Sequence, residues 1–354
     1  MNGKHGYQKP SLLPLTVKRL LLTGFEPFGG SDVNVSQDLV HAIASVMLLS
    51  DPWKEVRHTS SAEVEVEIEG VVLPVDKEGS LATARRLLSG ESWDGIVHLG
   101  VCGTCTTPRL ELRAQDELEM RIPDNSGRQV SSESLSGSGD LWSTAPIKTW
   151  MQDWGIDATP SVDAGRFICN ETLYRTLEAI QSSPIPTLFI HFPPRDKYPF
   201  EQSLALVTDV LARLVHKPVL KVAGALFTHE HQFLLARRAP HELHSGTWEF
   251  PGGKLEPSES SVEAIVREIH EEFGWNIQSL PSIGTWYHEL DHVTIALDVL
   301  PCTFIDMLPL LDDRSLWTSH DRVEWHTAMS CSELPFTGSD RDVVHALVKS
   351  GLLD

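Results

Sequence analysis

The sequence GGKLEPSESSVEAIVREIHEEFGW, residues 252–275, decides the fold of the second half of the chain. It predicts a glycine turn followed by an amphipathic helix over residues 260–273. Glu268, Glu271 and Glu272 occupy positions i, i+3 and i+4, so a helix places their carboxylates on one face. Anions this close repel each other unless a cation lies between them, and carboxylate oxygens suit Mg²⁺. A solvated acidic helix face is the alternative, but it does not account for the glycine turn before the helix.

The fixed positions of this stretch resemble the signature of the Nudix hydrolases, over about residues 220–350. Trp275 stands where that family usually has an aliphatic residue. The resemblance implies an α/β/α sandwich that cleaves a nucleoside diphosphate-linked substrate with Mg²⁺ or Mn²⁺. The matching positions are Gly253, Glu259, Arg267, Glu268, Glu271, Glu272 and Gly274.

The same resemblance assigns roles to individual residues. It implies that Glu271 and Glu272 are metal ligands, and that Glu268 binds metal or activates water. The carbonyl of Gly252 is expected to be a further ligand.

A neighbouring stretch, ARRAPHELHSGTWEFPGGK at residues 236–254, narrows the substrate class. It is most similar to the Nudix branch that hydrolyses oxidised or non-standard nucleoside triphosphates, and to related pyrimidine-triphosphate pyrophosphohydrolases. Glu249 is then expected near the metal and phosphates, and Arg238 near the substrate. Asp340 aligns loosely with the position that contacts the base, although an aspartate N-cap of a helix is an equally good interpretation.

One position departs from that branch, which often has a metal-binding glutamate six residues before a tryptophan. Counting back from Trp325 gives Ser319. Asp321 or Glu324 could substitute for the missing carboxylate. The number of metal ions and the rate of hydrolysis are therefore open at this point.

The first half contains DAGRFICNETLY at residues 163–174, which raises the question whether Cys169 is a nucleophile or a core thiol. A buried free cysteine usually behaves as a small hydrophobe, and the apolar run that ends at Cys169 predicts a core strand. A nucleophilic cysteine needs a base, and the base needs an orienting group. His191 in TLFIHF and Glu111 in RLELRAQDELEMRIPDN are the candidates.

Four blocks in order, LLLTGFEPFGG, ELRAQDELEMRIPDN, DAGRFICNETLY and FIHFP, resemble those of pyroglutamyl peptidase type I. This is a family of cysteine peptidases, and the resemblance spans about residues 17–215. It implies that Cys169 is the nucleophile, that His191 is the general base and acid, and that Glu111 orients the imidazole.

A pyroglutamyl group is a neutral lactam, so its pocket should have apolar faces and a few hydrogen-bonding groups at the edge. Phe25 and Phe28 are expected to sandwich the ring, with Phe167 beside the nucleophile. Core packing is the alternative for Phe25 and Phe28. The resemblance also implies that Asn34 is a polar pocket residue and that Val101 offers backbone groups to the lactam. The valine after Asn34 replaces the family's usual proline.

Alternating strand and helix patterns in the first two hundred residues predict an α/β fold with a largely parallel sheet. The resemblance to pyroglutamyl peptidases implies that this is a phosphorylase/hydrolase-like α/β/α type. The pattern restarts after residues 216–218. We therefore expect two domains, 1–217 and 218–354. The net charge is −20, which disfavours a nucleic acid polymer as a partner. No apolar segment is long enough to predict a membrane span.

Five cysteines, an odd and sparse set, favour a reducing, cytoplasmic environment. Cys102 and Cys105 form a single CxxC pair, which is a weak indication of a redox or zinc site. The peptidase domain is expected to need no cofactor, and the sequence leaves the oligomeric state open.

The sequence thus predicts a bifunctional hydrolase. One domain acts on peptides with an N-terminal pyroglutamate, and the other acts on a nucleoside di- or triphosphate. The alternative is an active peptidase joined to a Nudix module that binds a nucleotide as a regulatory sensor.

Overall fold

A computed structural model describes residues 17–57, 63–152, 154–305, 308–309, 311, 314–315, 317–331 and 333–350. The described residues form two compact units. One contains the residues up to 145 together with 156–216, and the other contains 146–155 together with the residues from 217 onward. The short segment 146–155 thus groups with the second unit, although it precedes the predicted boundary. The single boundary at 217 stays a prediction.

The first part of the chain alternates strands and helices. The strands are β1 (Lys18–Phe25), β2 (Val46–Ser50), β3 (Glu63–Leu73), β4 (Gly95–Val101), β5 (Arg109–Glu111), β6 (Arg113–Ala114), β7 (Leu141–Trp142), β8 (Thr159–Ser161) and β9 (Thr187–Phe192). The helices are α1 (Val35–Ala42), α2 (Lys54–Arg57), α3 (Lys77–Leu88), α4 (Ile147–Trp150, in the second unit), α5 (Ile168–Ala179) and α6 (Phe200–Val215).

The main sheet of the first unit has the order β2-β3-β1-β4-β9-β5-β8. Strands β3, β1, β4 and β9 are parallel to one another, and β5 and β8 form a further parallel pair. Strand β2 is antiparallel to β3, and β5 is antiparallel to β9. This sheet confirms the predicted α/β fold with largely parallel strands.

The two central strands explain why the sequence shows unbroken apolar runs here. Strand β9 is buried along its whole length, and β4 is buried up to its last residue. Helix α1 packs against α6, and α3 packs against α5, while each pair also contacts the sheet. Parallel strands covered in this way on both faces need apolar side chains on both faces.

The prediction that Cys169 ends a core strand is wrong. Residues 168–179 form α5, so the cysteine lies in the first turn of a helix, and Phe167 is the N-cap residue. Gly165 just before it has φ +73°, a left-handed conformation that glycine adopts without strain. An apolar run of three residues is too short to distinguish a buried strand from the buried side of a helix.

The second unit contains the remaining elements. Its strands are β10 (Val219–Leu226), β11 (Thr228–His229), β12 (Gln232–Arg238), β13 (Trp248–Glu249), β14 (Gly252–Lys254), β15 (Ile277–Ser279), β16 (Gly284–Glu289), β17 (Thr294–Phe304) and β18 (His320–Thr327). Its helices, besides α4, are α7 (Ser261–Phe273), α8 (Ala328–Cys331) and α9 (Asp340–Lys349).

Two sheets organise this unit. One has the order β14-β10-β17-β15 with β16 also paired to β17, and the other has the order β11-β12-β13 with β18 paired to β12. Helix α7 buries Ala264, Ile265 and Ile269 in one cluster of apolar core residues, which also contains Phe227 and Leu234. Helix α9 buries Val343, Val344 and Leu347 in a second cluster. Helices on two sides of paired sheets confirm the predicted α/β/α sandwich.

Local signals set both ends of α7 close to the predicted bounds. Ser260 and Glu263 form a capping box at its start, and Gly274 ends it with φ 69°. Over the ranges described above, no helix is long and apolar enough to span a membrane.

Candidate active sites

A histidine and a glutamate on neighbouring strands form a buried pair in the first unit. Glu111 on β5 lies opposite Phe189 of β9, and His191 lies two residues further along β9. Residues two apart on a strand face the same side of the sheet, so the two polar side chains meet. His191 Nδ1 lies 2.8 Å from Glu111 Oε1. This contact orients the ring and leaves Nε2 available to another partner.

Cys169 lies on a helix that packs against the sheet carrying His191 and Glu111. It is the second residue of α5, and its sulfur lies 3.1 Å from the point that a Cβ on Gly100 would occupy. Gly100 on β4 is in turn paired with His191 on β9. A side chain at residue 100 would also collide with the ring of Phe189. The glycine therefore lets the Cys169 sulfur reach the strand that carries His191.

The surroundings of His191 favour its charged form. Burial by itself lowers the pKa of His191, but hydrogen bonds to Cys169 and Glu111 outweigh burial and raise the pKa to about 9. An imidazolium stabilises negative charge on a neighbouring sulfur, and so does a helix N-terminus. The arrangement can therefore supply a nucleophilic sulfur beside a proton donor.

The raised pKa of His191 predicts the alkaline limit of any reaction in which this ring donates a proton. His191 is protonated below about pH 9 and neutral above it, so kcat/KM should fall as the pH rises through about 9. The check is a rate profile from about pH 6 to about pH 10, with the ring titrated by NMR in Cys169→Ala. That variant should show a lower histidine pKa, because burial is then less opposed. A fall in rate near the ordinary histidine pKa would contradict this assignment.

The aromatic residues expected in the pocket divide into two groups. Phe28 and Phe167 are half-buried and stacked, with ring centroids 5.8 Å apart. Phe28 and Val101 also line a cavity of about 400 Å³. Phe25 is 2% exposed and stacks on Phe189 in the core cluster. Phe25 therefore occupies the core position that was the alternative for it, while Phe28 and Phe167 remain accessible.

Asn34 uses its polar groups within its own loop. Its Oδ1 accepts hydrogen bonds from the backbone N–H and the hydroxyl of Ser36, and its Nδ2 donates to the carbonyl of Glu26. It is thereby the N-cap of α1. The structure assigns Asn34 a part in shaping the loop, and its contact with a substrate stays a prediction.

In the second unit, Arg267 ties the acidic helix α7 to the turn before it. Its guanidinium donates to both carboxylate oxygens of Glu259 at 2.8 Å and to the carbonyl of Lys254 at 3.0 Å. It also donates to Glu268 at 2.9 Å and to Glu271 at 3.1 Å. The contact between Arg267 and Glu259 therefore fixes the turn on the helix, and the same cation reduces repulsion between the helix carboxylates.

The three predicted glutamates do not converge on one point. Glu268 lies against Gly253, where a Cβ would come within 2.3 Å of the Glu268 carboxyl carbon. The Glu272 side chain is 16% exposed and that of Glu271 is 58% exposed. No three His, Cys, Asp or Glu side chains among the described residues form a ready-made metal cluster. The site instead offers separate oxygen donors, which fits an ion such as Mg²⁺ that keeps waters and substrate phosphates as ligands.

These donors border a cavity of about 350 Å³. Its apolar wall includes Leu220, Val222, Ile295 and Leu297. Arg238 on its rim donates to Glu249 at 2.9 and 3.2 Å. The cavity thus combines an apolar wall with a charged rim, as a nucleotide site requires. The predicted residues that line it are Gly252, Glu268, Glu272, Arg238, Glu249 and Asp340.

Asp340 is buried, and it is not the N-cap residue of a helix as the alternative interpretation proposed. Ser339 is the N-cap of α9, and Asp340 is the first helical residue. The backbone N–H of Phe250 donates to Asp340 Oδ1 at 2.8 Å. Burial raises the pKa of Asp340 to about 8, so the carboxyl is mostly protonated at neutral pH. A protonated carboxyl can both donate and accept a hydrogen bond at the cavity wall.

The two acidic residues that could replace a glutamate at Ser319 are engaged elsewhere. Asp321 forms a two-point contact with Arg237, with both distances 2.8 Å. Glu324 is half-buried and pairs with Arg322 at 3.3 Å. Ser319 itself lines the cavity. The structure therefore places neither candidate carboxylate at this position.

Comparison with known proteins extends these observations. Residues 18–200, just over half of the chain, match the family described as pyroglutamyl peptidase. The chain belongs to the pyroglutamyl peptidase family. Residues 218–347 match the NUDIX domain. The two matches support an enzyme that combines a pyroglutamyl peptidase domain with a Nudix hydrolase domain.

Relatives of the pyroglutamyl peptidase domain are named pyrrolidone-carboxylate peptidases. The chain is 32% identical over 215 residues to that of Bacillus velezensis, covering 58% of this chain and 91% of the relative. It is 31% identical over 185 residues to that of Vibrio vulnificus, covering 50% and 79%. The solved pyrrolidone carboxyl peptidase of Thermococcus litoralis aligns with a TM-score of 0.46 at 25% identity, covering 56% of this chain and 94% of that one.

Two residues of the pyroglutamyl peptidase domain that the sequence did not indicate anchor the start of α5. Asn170 Oδ1 accepts from the backbone N–H of Gln115 at 2.8 Å, and its Nδ2 donates to the carbonyls of Gln115 and Glu117 at 2.9 Å. Arg128 binds the buried Glu171 through two nitrogens. The signal in the sequence that could have identified Asn170 and Glu171 is their position directly after Cys169.

Cys102 and Cys105 form a disulfide immediately after Val101. Cys169, Cys302 and Cys331 are free thiols. The sequence indicated only a weak redox or zinc site at this CxxC pair and did not predict the bond. The cytoplasmic location stays a prediction.

His320 of the Nudix domain was also missed by the sequence analysis. It follows Ser319 directly, and its imidazole contacts Glu249 and faces Glu272. A histidine next to a position that often holds a metal ligand was the signal that could have identified it.

Proposed function

We propose that the pyroglutamyl peptidase domain removes pyroglutamate from the N-terminus of peptides. Cys169 is the nucleophile, His191 the general acid and base, and Glu111 the group that orients the ring. The observation that carries this proposal is the buried 2.8 Å contact between His191 and Glu111, next to the helix terminus that holds Cys169.

The reaction would proceed in two displacements. The Cys169 sulfur forms a bond to the pyroglutamyl carbonyl carbon, the C–N bond to the next residue breaks, and His191 Nε2 gives a proton to the departing amine. Water then adds to the thioester while His191 takes a proton from it, and the sulfur leaves with pyroglutamate released as the acid. The first backbone N–H groups of α5 have no acceptor within the helix and can stabilise the developing oxyanion.

Substrate selection should depend on Phe28 more than on Phe25. Phe28→Ala should raise KM for a pyroglutamyl amide about tenfold, because apolar contact with the ring is lost in the ground and transition states alike. Phe25→Ala should instead lower the free energy of unfolding by about 3 kcal/mol, as expected for a core aromatic residue. The measurements are steady-state kinetics and thermal unfolding.

Val33→Ala serves as the control, since Val33 lines the same cavity but is exposed. A prolyl amide, which lacks the lactam carbonyl, should react at least about 100-fold more slowly, because groups that pair with that carbonyl would be left unpaired. An unchanged KM in Phe28→Ala would remove this residue from the pocket. Equal turnover of the prolyl amide would remove the pyroglutamyl specificity.

We also propose that the Nudix domain hydrolyses a nucleoside diphosphate-linked compound, such as an oxidised or non-standard nucleoside triphosphate. A divalent metal bound there offsets phosphate charge and favours attack by water. Glu268 accepts a proton from that water, a role supported by the Arg267 guanidinium that holds the Glu268 carboxylate at 2.9 Å. Arg238 lies on the rim of the cavity where phosphates would bind, and Asp340 lies on the wall where a base would bind.

The test is an assay of the full chain against a panel of nucleoside di- and triphosphates, including oxidised ones, with Mg²⁺ or Mn²⁺. Turnover of at least one compound supports the proposal. Tight binding without turnover of any compound would favour the sensor alternative.

A further inference from the structure

The imidazole of His320 is held in one orientation. Its side chain is 3% exposed, and its ring stacks on Phe273 with centroids 5.2 Å apart and planes 21° apart. Nε2 lies 2.9 Å from Glu249 Oε1. Glu249 also accepts hydrogen bonds from the Arg238 guanidinium, so its oxygens act as acceptors here. His320 Nε2 is therefore the donor in this contact.

The other ring nitrogen lies opposite a carboxyl oxygen. His320 Nδ1 is 3.6 Å from Glu272 Oε2. Both atoms are buried and lack a hydrogen-bond partner among the residues that the structure describes. Two buried polar atoms left without partners are costly, and a cation held between them would satisfy both.

The separation of the two atoms suits a bound cation. The two donor atoms are 3.6 Å apart. If an ion lay about 2.1 Å from each of them, the angle between the two bonds at the ion would be about 120°. Glu272 and Ser319 also line the cavity that contains Gly252 and Glu268. The adjacent Ser319 supplies no carboxylate, and Asp321 and Glu324 are paired with arginines.

We propose that His320 Nδ1 and Glu272 Oε2 together bind a divalent metal ion in the Nudix domain. The imidazole takes the place of the carboxylate absent at Ser319. A nitrogen donor shifts preference from Mg²⁺ toward Fe²⁺, Ni²⁺ or Zn²⁺, because imidazole suits these ions better than it suits Mg²⁺. The donation from Nε2 to Glu249 then acts as the outer hydrogen bond that fixes the tautomer of a metal-binding histidine. This inference rests on the proposed metal-dependent function of the domain.

The experiment uses the full chain with Mn²⁺ as the probe. Binding is measured by EPR titration, and pulsed EPR of bound Mn²⁺ detects ¹⁴N coupling from a directly coordinated imidazole. The wild type should show this coupling. His320→Phe keeps an aromatic ring against Phe273 but removes the donor, so it should lose the coupling and bind Mn²⁺ at least about tenfold more weakly.

His326→Phe is the matched control, because His326 is a second buried histidine on β18 that meets Trp248 edge to face. It should retain both the coupling and the affinity. Bound Mn²⁺ with only oxygen ligands in the wild type would overturn the inference and leave the metal-dependent function standing; this result is expected if a proton, rather than a metal, lies between His320 and Glu272. Absence of Mn²⁺ binding, with or without a non-hydrolysable nucleotide, would overturn both. The wild-type spectrum decides the matter even if His320→Phe does not fold.

Discussion

Cys169→Ser is expected to lower the release of pyroglutamate from a chromogenic pyroglutamyl amide by at least about 1,000-fold. A serine hydroxyl next to His191 has nearly the size of the cysteine side chain but not the acidity of a thiol. The second step, hydrolysis of the thioester, also requires sulfur as the leaving group. His191→Ala should cost a comparable factor, because the sulfur loses its charged partner and the amine loses its proton donor. Combining both changes should cost little more, since the groups act as a unit.

Glu111→Gln should reduce the rate by a smaller factor, because its role is to orient the ring. The controls are Cys302→Ser and Cys331→Ser, which alter buried free thiols outside the site. Burial raises the pKa of Cys302 to about 11 and that of Cys331 to about 12, so neither is expected to react as a thiolate. Near-normal peptidase activity in Cys169→Ser or His191→Ala would exclude the proposed triad. Nudix turnover in the same preparations reports whether the rest of the chain is intact.

Glu272→Gln is the second change with a large expected effect, and it should reduce nucleotide hydrolysis at least about 100-fold. The substitution keeps the shape of the side chain but removes a charge that the metal needs. Burial raises the pKa of Glu272, so a charge on this carboxylate gains from a bound cation. The measurement is phosphate or pyrophosphate release at saturating Mn²⁺, compared with peptidase activity of the same sample.

Glu256→Gln is the control for Glu272→Gln, because Glu256 is an exposed glutamate in the turn before the same helix. It should leave hydrolysis unchanged. Full activity of Glu272→Gln would remove this residue from the metal site. Unchanged nucleotide affinity together with no turnover in the wild type would instead support the sensor alternative.

The sequence by itself determined the features that depend on local spacing. The carboxylates of α7, its capping box and its glycine end all follow from residues within one helix, so their positions could be read without the rest of the fold. Alternating strand and helix patterns also predicted the largely parallel sheet, because buried parallel strands need continuous apolar runs. The order of four motif blocks indicated Cys169, His191 and Glu111 as one group.

Only the tertiary structure decided how distant residues meet. The register of β5 against β9 brings Glu111 to His191, and the absent side chain of Gly100 admits the Cys169 sulfur. The helix that carries Cys169 was mistaken for a strand, because a short apolar run has no distinguishing period. Likewise, the pairing of β18 with β12 brings Asp321 to Arg237. It also sets the position from which His320 reaches Glu272. Side-chain direction on β18 depends on its register with β12, which shifts at a bulge between Arg237 and Arg238 and which a single strand's sequence does not specify.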